Sequence, residues 1–363
     1  MTTPTPERLL DGITAYDLDT ARLRVHVLER PATGDEKGVV VFVHGNVSSS
    51  LFYQPTMLAL DPGYRALAVD LRGFGGSETL PVDATRGLGD FADDVIATLD
   101  VLGVESCHLV GWSMGGGVVM RIAIDHPHRV ASLCLESPVS PYGFGGTRLD
   151  GSLLTPDAAG TGGGGANPDF VARLQAQDTG DDAPTSPRNV YRGTYVADAA
   201  SIDHEDLWVA SMLTTATGEG NYPGDATASD SWPGFAPGTR GVLNTMAPTH
   251  CNLSALATIS PKPPITWIRG SVDAIVSDAS LFDLNHLGAL GAVPGWPGAE
   301  VAPAQPMVSQ TRAVLEQYAA GDPALVEEIS LEGCGHSPHL ERPTEFVDAV
   351  HALLARADEH GAG

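Results

Sequence analysis

The distribution of apolar residues along the chain predicts alternating strands and helices. Six runs of mostly apolar residues have the length of strands that are buried on both faces. These runs cover residues 38–45, 64–73, 106–113, 130–138, 264–273 and 325–336. Helical periodicity lies between or after them, over residues 89–103, 115–125, 309–320 and 343–357. This alternation indicates an α/β fold, with a mostly parallel central sheet flanked by helices.

Two segments interrupt this alternation. Residues 140–259 are rich in Gly, Pro, Asp, Ser and Thr and show only patches of helical periodicity. A stretch of that length between two strands is too long for a plain loop. We therefore expect it to form an inserted cap on a core made of residues 1–139 and 260–363. Residues 279–308 are a second loop excursion within that core, and the first 30 residues predict an antiparallel hairpin.

Composition and charge limit the classes of partner that we expect the protein to bind. The 363-residue chain has a net charge of −25, so it would be repelled by nucleic acid and by anionic membranes, and we expect neither as a partner. The chain shows no signal-peptide pattern and no apolar run of the roughly 18–20 residues that a membrane span needs. Its cysteines lack metal-ligand spacing, which predicts a reduced, cytoplasmic protein without a metal. These cysteines are Cys107, Cys134, Cys251 and Cys334.

One serine lies between a predicted strand and a predicted helix, among residues with very small side chains. Residues 111–115 read GWSMG, and two further glycines follow. A sharp strand-to-helix turn leaves little room for side chains beside a nucleophile, which explains the glycines. The helix directs its N-terminal amides toward Ser113, where an oxyanion would develop. The pattern predicts a nucleophile rather than an ordinary turn hydroxyl.

With the motifs around it, this serine resembles the nucleophile of the α/β-hydrolase superfamily. HGN at residues 44–46 stands where the family has its oxyanion loop, and DLRGFGGS at 70–77 is similar to its D-x-R-G-x-G-x-S turn. GCGHSPHLERP at 333–343 supplies a histidine before the last helix. The resemblance covers 1–139 and 260–363, and it implies a capped, esterase-like or lactonase-like serine hydrolase.

The resemblance also implies a catalytic triad. A serine hydroxyl needs a histidine base, and the base needs a carboxylate to fix its tautomer. In the family's order of serine, acid and histidine, Ser113 is followed by Asp273 at the end of a late strand and by His336. Glu136 is the alternative acid, because a minority of the family carries the acid after the preceding strand. His339 is expected to be a surface or supporting residue.

The oxyanion hole implied by the resemblance uses the backbone amides of Met114 and Asn46. HGNVSSS looks like the loop of haloalkane dehalogenases, in which the asparagine side chain helps to hold a halide. Those enzymes, like epoxide hydrolases, need a carboxylate nucleophile where this chain has Ser113. This departure argues against both activities, so Asn46 is expected to contribute mainly its backbone amide.

Four aromatic residues are candidates for substrate contact. Trp112 precedes the nucleophile, and Trp208, Tyr222 and Trp232 lie in the expected cap. Residues of the cap's own core would give the same pattern, so both interpretations of the cap aromatics stay open.

These features favour a serine hydrolase that cleaves a carboxylic ester or lactone of a small molecule through an acyl-enzyme, without a cofactor. The same triad could hydrolyse an amide or a carbon–carbon bond, or act as a cofactor-free perhydrolase or haloperoxidase. From a different class, a ligand receptor with slow turnover would keep the same residues. The oligomeric state does not follow from the sequence.

Overall fold

The computed structural model describes residues 9–361, which contain a large central sheet and two two-stranded sheets. Across this sheet the eight strands lie in the order Thr14–Asp19, Arg24–Arg30, Tyr64–Val69, Gly38–Val43, Cys107–Trp112, Val130–Glu136, Ile265–Gly270 and Val326–Leu331. The second strand pairs antiparallel with its neighbours on both sides, and all other pairs in the sheet are parallel. The predicted α/β fold and its leading hairpin are therefore confirmed. The strands are β1 (Thr14–Asp19), β2 (Arg24–Arg30), β3 (Gly38–Val43), β4 (Tyr64–Val69), β5 (Cys107–Trp112), β6 (Val130–Glu136), β7 (Thr217–Gly218), β8 (Tyr222–Pro223), β9 (Ala226–Ala228), β10 (Phe235–Pro237), β11 (Ile265–Gly270) and β12 (Val326–Leu331).

Helices flank the central sheet, and all four helical patterns of the sequence correspond to one of them. The helices are α1 (Gln54–Ala59), α2 (Gly89–Val101), α3 (Met114–Asp125), α4 (Pro168–Gln175), α5 (Pro187–Val190), α6 (Glu205–Met212), α7 (Leu284–Ala289), α8 (Met307–Tyr318), α9 (Pro338–Glu341) and α10 (Pro343–Gly361). The carboxylate of Asp278 accepts the first-turn amides of Val308 at 2.8 Å and Ser309 at 3.1 Å, and so caps α8.

The strands in the structure end one to five residues before the apolar runs that predict them. β5 lies between β3 and β6 with every residue buried, which explains its unbroken apolar sequence. The residues that follow β3, β4 and β6 are buried too, so hydropathy does not mark where these strands stop. Ser113, Asp273 and His336 all follow the carboxyl ends of strands, the edge at which α/β sheets place their sites.

Residues 140–259, called the inserted segment below, lie between β6 and β11 and add no strand to the central sheet. They hold α4, α5 and α6 and two small strand pairs, β7 with β8 and β9 with β10. Within residues 9–361, no helix is both long and apolar enough to cross a bilayer.

Candidate active site

Ser113 occupies a strained turn between β5 and α3. Its backbone lies at φ 57° and ψ −118°, a conformation that residues with a side chain rarely adopt. A methyl group on Gly111 would collide with the carbonyl oxygen of Gly115, and one on Gly115 would collide with that of Val43. The small residues are therefore a steric requirement, as the sequence predicts. Met114 is the first helical residue, and its amide has no partner within the helix.

The loop that follows β3 packs against this turn. A Cβ atom built on Gly45 would lie 3.0 Å from Cβ of Ser113. The Nε2 atom of buried His44 accepts the amide of Leu71 at 3.0 Å, so its Nδ1–H is left to donate to the Gly45 carbonyl at 2.7 Å. Burial lowers the pKa of His44, which favours this neutral form. His44 therefore supports the loop.

Asn46 lies in the wall of a cavity that also contains Ser113. The carbonyl of Gly45 is held by His44 and, at 2.8 Å, by the hydroxyl of Ser48. In a trans peptide unit the C=O and N–H groups point in opposite directions, so the Asn46 amide is directed away from these two side chains. The side-chain Oδ1 atom of Asn46 is buried and accepts no hydrogen bond within the described residues.

His336 and Asp273 form a buried hydrogen-bonded pair. Nδ1 of His336 donates to Oδ2 of Asp273 at 2.8 Å, and both side chains are 2 % exposed. The other carboxylate oxygen accepts the amides of Ile275 at 2.7 Å and Val276 at 2.9 Å, which fixes its orientation. His336 lines the same cavity as Ser113, so Nε2 is the ring nitrogen left to receive a proton there.

Glu136, the alternative acid, is directed to a different histidine. Its Oε1 atom accepts both the backbone amide of His339 at 2.8 Å and the Nδ1–H of that residue at 2.7 Å. His339 is 1 % exposed, so it is a buried supporting residue and not a surface one. The structure thus pairs Asp273, and not Glu136, with His336.

The cavity beside Ser113 has a volume of about 530 Å³ and a mainly apolar wall. Two of the four aromatic candidates, Trp112 and Tyr222, line it. The indole N–H of Trp112 also donates to the backbone carbonyl of His336 at 2.8 Å, which joins the turn of Ser113 to the loop that carries His336.

Two of the candidates for substrate contact require correction. Trp208 is 1 % exposed and packs on Phe52 with ring centroids 5.1 Å apart, so it belongs to the core and not to the cavity wall. Trp232 donates its indole N–H to the carbonyl of Pro294 at 2.9 Å and also lies outside the wall. Its neighbours are in the 279–308 excursion, a contact that residue type alone does not reveal.

Several wall residues escaped the sequence analysis, including those that come from the 279–308 excursion. Asp283 is buried there, where it accepts the amides of Asn285 at 3.0 Å and Gln305 at 2.7 Å. Burial raises the pKa of the Asp283 carboxyl. The sequence feature that could have indicated this part of the wall is the set of apolar residues in 279–308, a segment otherwise rich in Gly and Pro. The other overlooked wall residues include Phe144, Phe170, Tyr195, Leu281, Phe282 and Leu287.

Comparison with known proteins finds relatives of part of this chain among hydrolases. The model of the alpha/beta hydrolase fold matches residues 38–159, about a third of the chain. A putative carbamate hydrolase, RutD, of Variovorax paradoxus is 39% identical over 132 residues, which are 36% of this chain and 48% of the relative. A 2-hydroxy-6-oxononadienedioate/2-hydroxy-6-oxononatrienedioate hydrolase of a Pseudomonas species is 33% identical over 136 residues, 36% and 44% of the two chains. The chain thus spans about half the length, or less, of the curated relatives it matches.

Solved structures share the fold along nearly the whole chain. A putative aryl esterase from Burkholderia cenocepacia superimposes with a TM-score of 0.57 at 17% identity, covering 95% of this chain and 100% of that one. The carboxylesterase CesB (YbfK) from Bacillus subtilis gives a TM-score of 0.55 at 18% identity, covering 94% and 91%. Together with the family model over residues 38–159, this likeness shows that the chain has the α/β-hydrolase fold.

Proposed function

We propose that this protein is a serine hydrolase that cleaves a carboxylic ester or lactone through an acyl-enzyme intermediate. The observation that carries the proposal is that Ser113, in its strained turn, lines the same apolar cavity as His336, which is hydrogen-bonded to Asp273. A nucleophile, a base and an oriented carboxylate are the groups that acyl transfer requires. The hydrolase names of the relatives agree with this class of reaction.

In the proposed reaction, Oγ of Ser113 attacks the substrate carbonyl carbon while Nε2 of His336 takes its proton. Asp273 holds the imidazole in the reactive tautomer and stabilises the imidazolium. The amides of Met114 and Asn46 donate to the oxyanion. Collapse of the tetrahedral intermediate expels the alcohol, which takes the proton back from His336. Water, activated by His336, then hydrolyses the acyl-enzyme and releases the acid.

The cavity favours a neutral, largely apolar substrate. Its wall is mainly apolar, and among the described residues it includes the carboxyl of Asp283 but no lysine or arginine. An anionic substrate would also approach a chain with a net charge of −25. Dienedioates, which the name of the Pseudomonas relative specifies, carry two carboxylates. We therefore favour an ester over this carbon–carbon cleavage, with the inserted segment acting as a cap that shapes the acyl pocket.

Covalent labelling tests the proposal. A fluorophosphonate probe should label the wild type and a Ser201→Ala control, in which an exposed serine is removed, but not Ser113→Ala. p-Nitrophenyl esters of increasing chain length should then show multiple turnovers that depend on Ser113. Failure to label well-folded wild type, or labelling that persists in Ser113→Ala, would exclude Ser113 as the nucleophile. Stoichiometric labelling without turnover would favour the receptor alternative.

A further inference from the structure

Tyr195 connects the inserted segment to the loop that carries Asn46. It ends a π-helical turn, Tyr191–Tyr195, and is 6 % exposed in the cavity wall. Its hydroxyl donates one bifurcated hydrogen bond that two consecutive backbone carbonyls share, that of Asn46 at 3.0 Å and that of Val47 at 3.1 Å. One side chain from the inserted segment therefore holds the loop after β3.

The backbone held in this way is strained. Val47 has a φ of 47°, which is a true outlier for a β-branched residue. Such a conformation persists only where its surroundings fix it. Within the loop, His44 and Ser48 hold the peptide unit before Asn46, through the Gly45 carbonyl. Tyr195 holds the peptide unit after Asn46, so the two anchors together set the direction of the Asn46 amide.

The π-helical turn that ends at Tyr195 also contacts the loop that carries His336. The hydroxyl of Ser337 donates to the carbonyl of Tyr195 at 2.7 Å. The carboxylate of Glu341 accepts the amide of Ala197 and the amide of Gly335, both at 2.8 Å. Residues 195–197 therefore contact both the loop of the proposed oxyanion hole and the loop of the proposed base.

We infer that Tyr195 is a positioning residue whose hydroxyl holds the loop of residues 44–48 so that the Asn46 amide faces the developing oxyanion. The inference rests on the proposed function for its catalytic consequence. The hydroxyl acts through the backbone and not on the reacting atoms. Docking of the inserted segment is then a condition for a competent oxyanion hole, in addition to forming the cavity wall.

Tyr191 provides a matched control. It lies in the same π-helical turn, and its buried hydroxyl has no hydrogen-bond partner within the described residues. It is also absent from the cavity wall. Tyr191→Phe removes an oxygen that makes no bond, whereas Tyr195→Phe removes the oxygen that holds two carbonyls. Both variants keep their ring packing, and thermal unfolding of each verifies that they fold.

Two readouts test the inference. In Tyr195→Phe, kcat should fall roughly 10-fold or more, and KM should stay within roughly 2-fold of the wild-type value. Complete removal of an oxyanion-hole donor lowers kcat by about 10²–10³, and in this variant the Asn46 amide is still present but misdirected. Hydrogen exchange of peptides that cover residues 44–52 should also be faster than in Tyr191→Phe, while peptides from α2 exchange equally in both variants.

The two readouts separate this inference from the proposed function. Equal kcat and equal exchange in the two variants would overturn the role of Tyr195 while leaving the serine hydrolase intact. If the wild type shows no turnover that depends on Ser113, the proposed function fails and hydrogen exchange alone decides. Faster exchange in Tyr195→Phe would then still support the loop contact, and equal exchange would overturn it.

Discussion

Replacing Asp273 by asparagine removes the negative charge beside His336 while keeping the shape of the side chain. In the native pair, the carboxylate accepts the Nδ1–H of His336, which leaves Nε2 free of a proton and able to act as a base. The oxygen of an asparagine would stay with the amides of Ile275 and Val276, so its NH₂ group would face Nδ1. The imidazole would then have to carry its proton on Nε2, the tautomer that cannot accept one from Ser113.

The size of the expected loss in kcat follows from this change of tautomer. Charge removal at the equivalent position of a serine-protease triad costs about 10⁴ in kcat, which corresponds to about 5 kcal/mol of transition-state stabilisation. We expect a similar loss for Asp273→Asn. Because the backbone bonds of the side chain are kept, the free energy of unfolding should change by less than about 1 kcal/mol.

Glu136→Gln is the matched variant. The carbonyl oxygen of the glutamine can still accept both hydrogen bonds that His339 donates, so kcat should stay within about 10-fold of the wild-type value. Steady-state kinetics on a p-nitrophenyl ester, with urea unfolding of each variant, gives both quantities. If Glu136→Gln abolishes turnover while Asp273→Asn retains it, our assignment of the acid is wrong.

Two further predictions concern stability. Gly115→Ala should destabilise the fold by about 1–3 kcal/mol or more, because the new methyl group meets the carbonyl of Val43, whereas Gly193→Ala places its methyl in open space and should be tolerated; equal urea midpoints would refute the steric argument. Burial lowers the pKa of His108 to about 4, so the unfolded chain binds a proton below about pH 6.5 that the folded chain does not, and about 3 kcal/mol of stability should disappear between pH 6.5 and 4. His108→Gln should flatten that part of the pH profile, and an unchanged slope would assign it to other groups.

Much of the fold and of the candidate triad was predictable because its signals are local. Residues 38–45 and 106–113 lie within central strands, so their unbroken apolar sequence reports burial on both faces. The crowding at Gly111 is equally local, since a methyl group there would meet the carbonyl of Gly115, whereas Gly115 is crowded by the carbonyl of Val43 on the neighbouring strand. His336 and Asp273 were found through the order of motifs, and only the structure shows the hydrogen bond between them.

The cavity wall was less predictable because it is built from distant parts of the chain. Trp208 and Trp232 are of the residue type that lines apolar pockets, yet Trp208 packs on Phe52 and Trp232 on the 279–308 excursion. Tyr195 lies in a segment without clear periodicity, and its partners are almost 150 residues away in the sequence. No pattern within 140–259 specifies such contacts, because they depend on how the inserted segment meets the sheet.

The hydrogen bond from Trp112 to the carbonyl of His336 has a consequence for engineering. An indole is a rigid group, and this one joins the residue before Ser113 to the backbone of His336. The separation of the two groups is thus set in part by the size of one aromatic ring in the core of the sheet. Mutant libraries that vary Leu281 or Phe282 to change the substrate range should therefore keep Trp112 constant, since its indole helps to set the separation between Ser113 and His336.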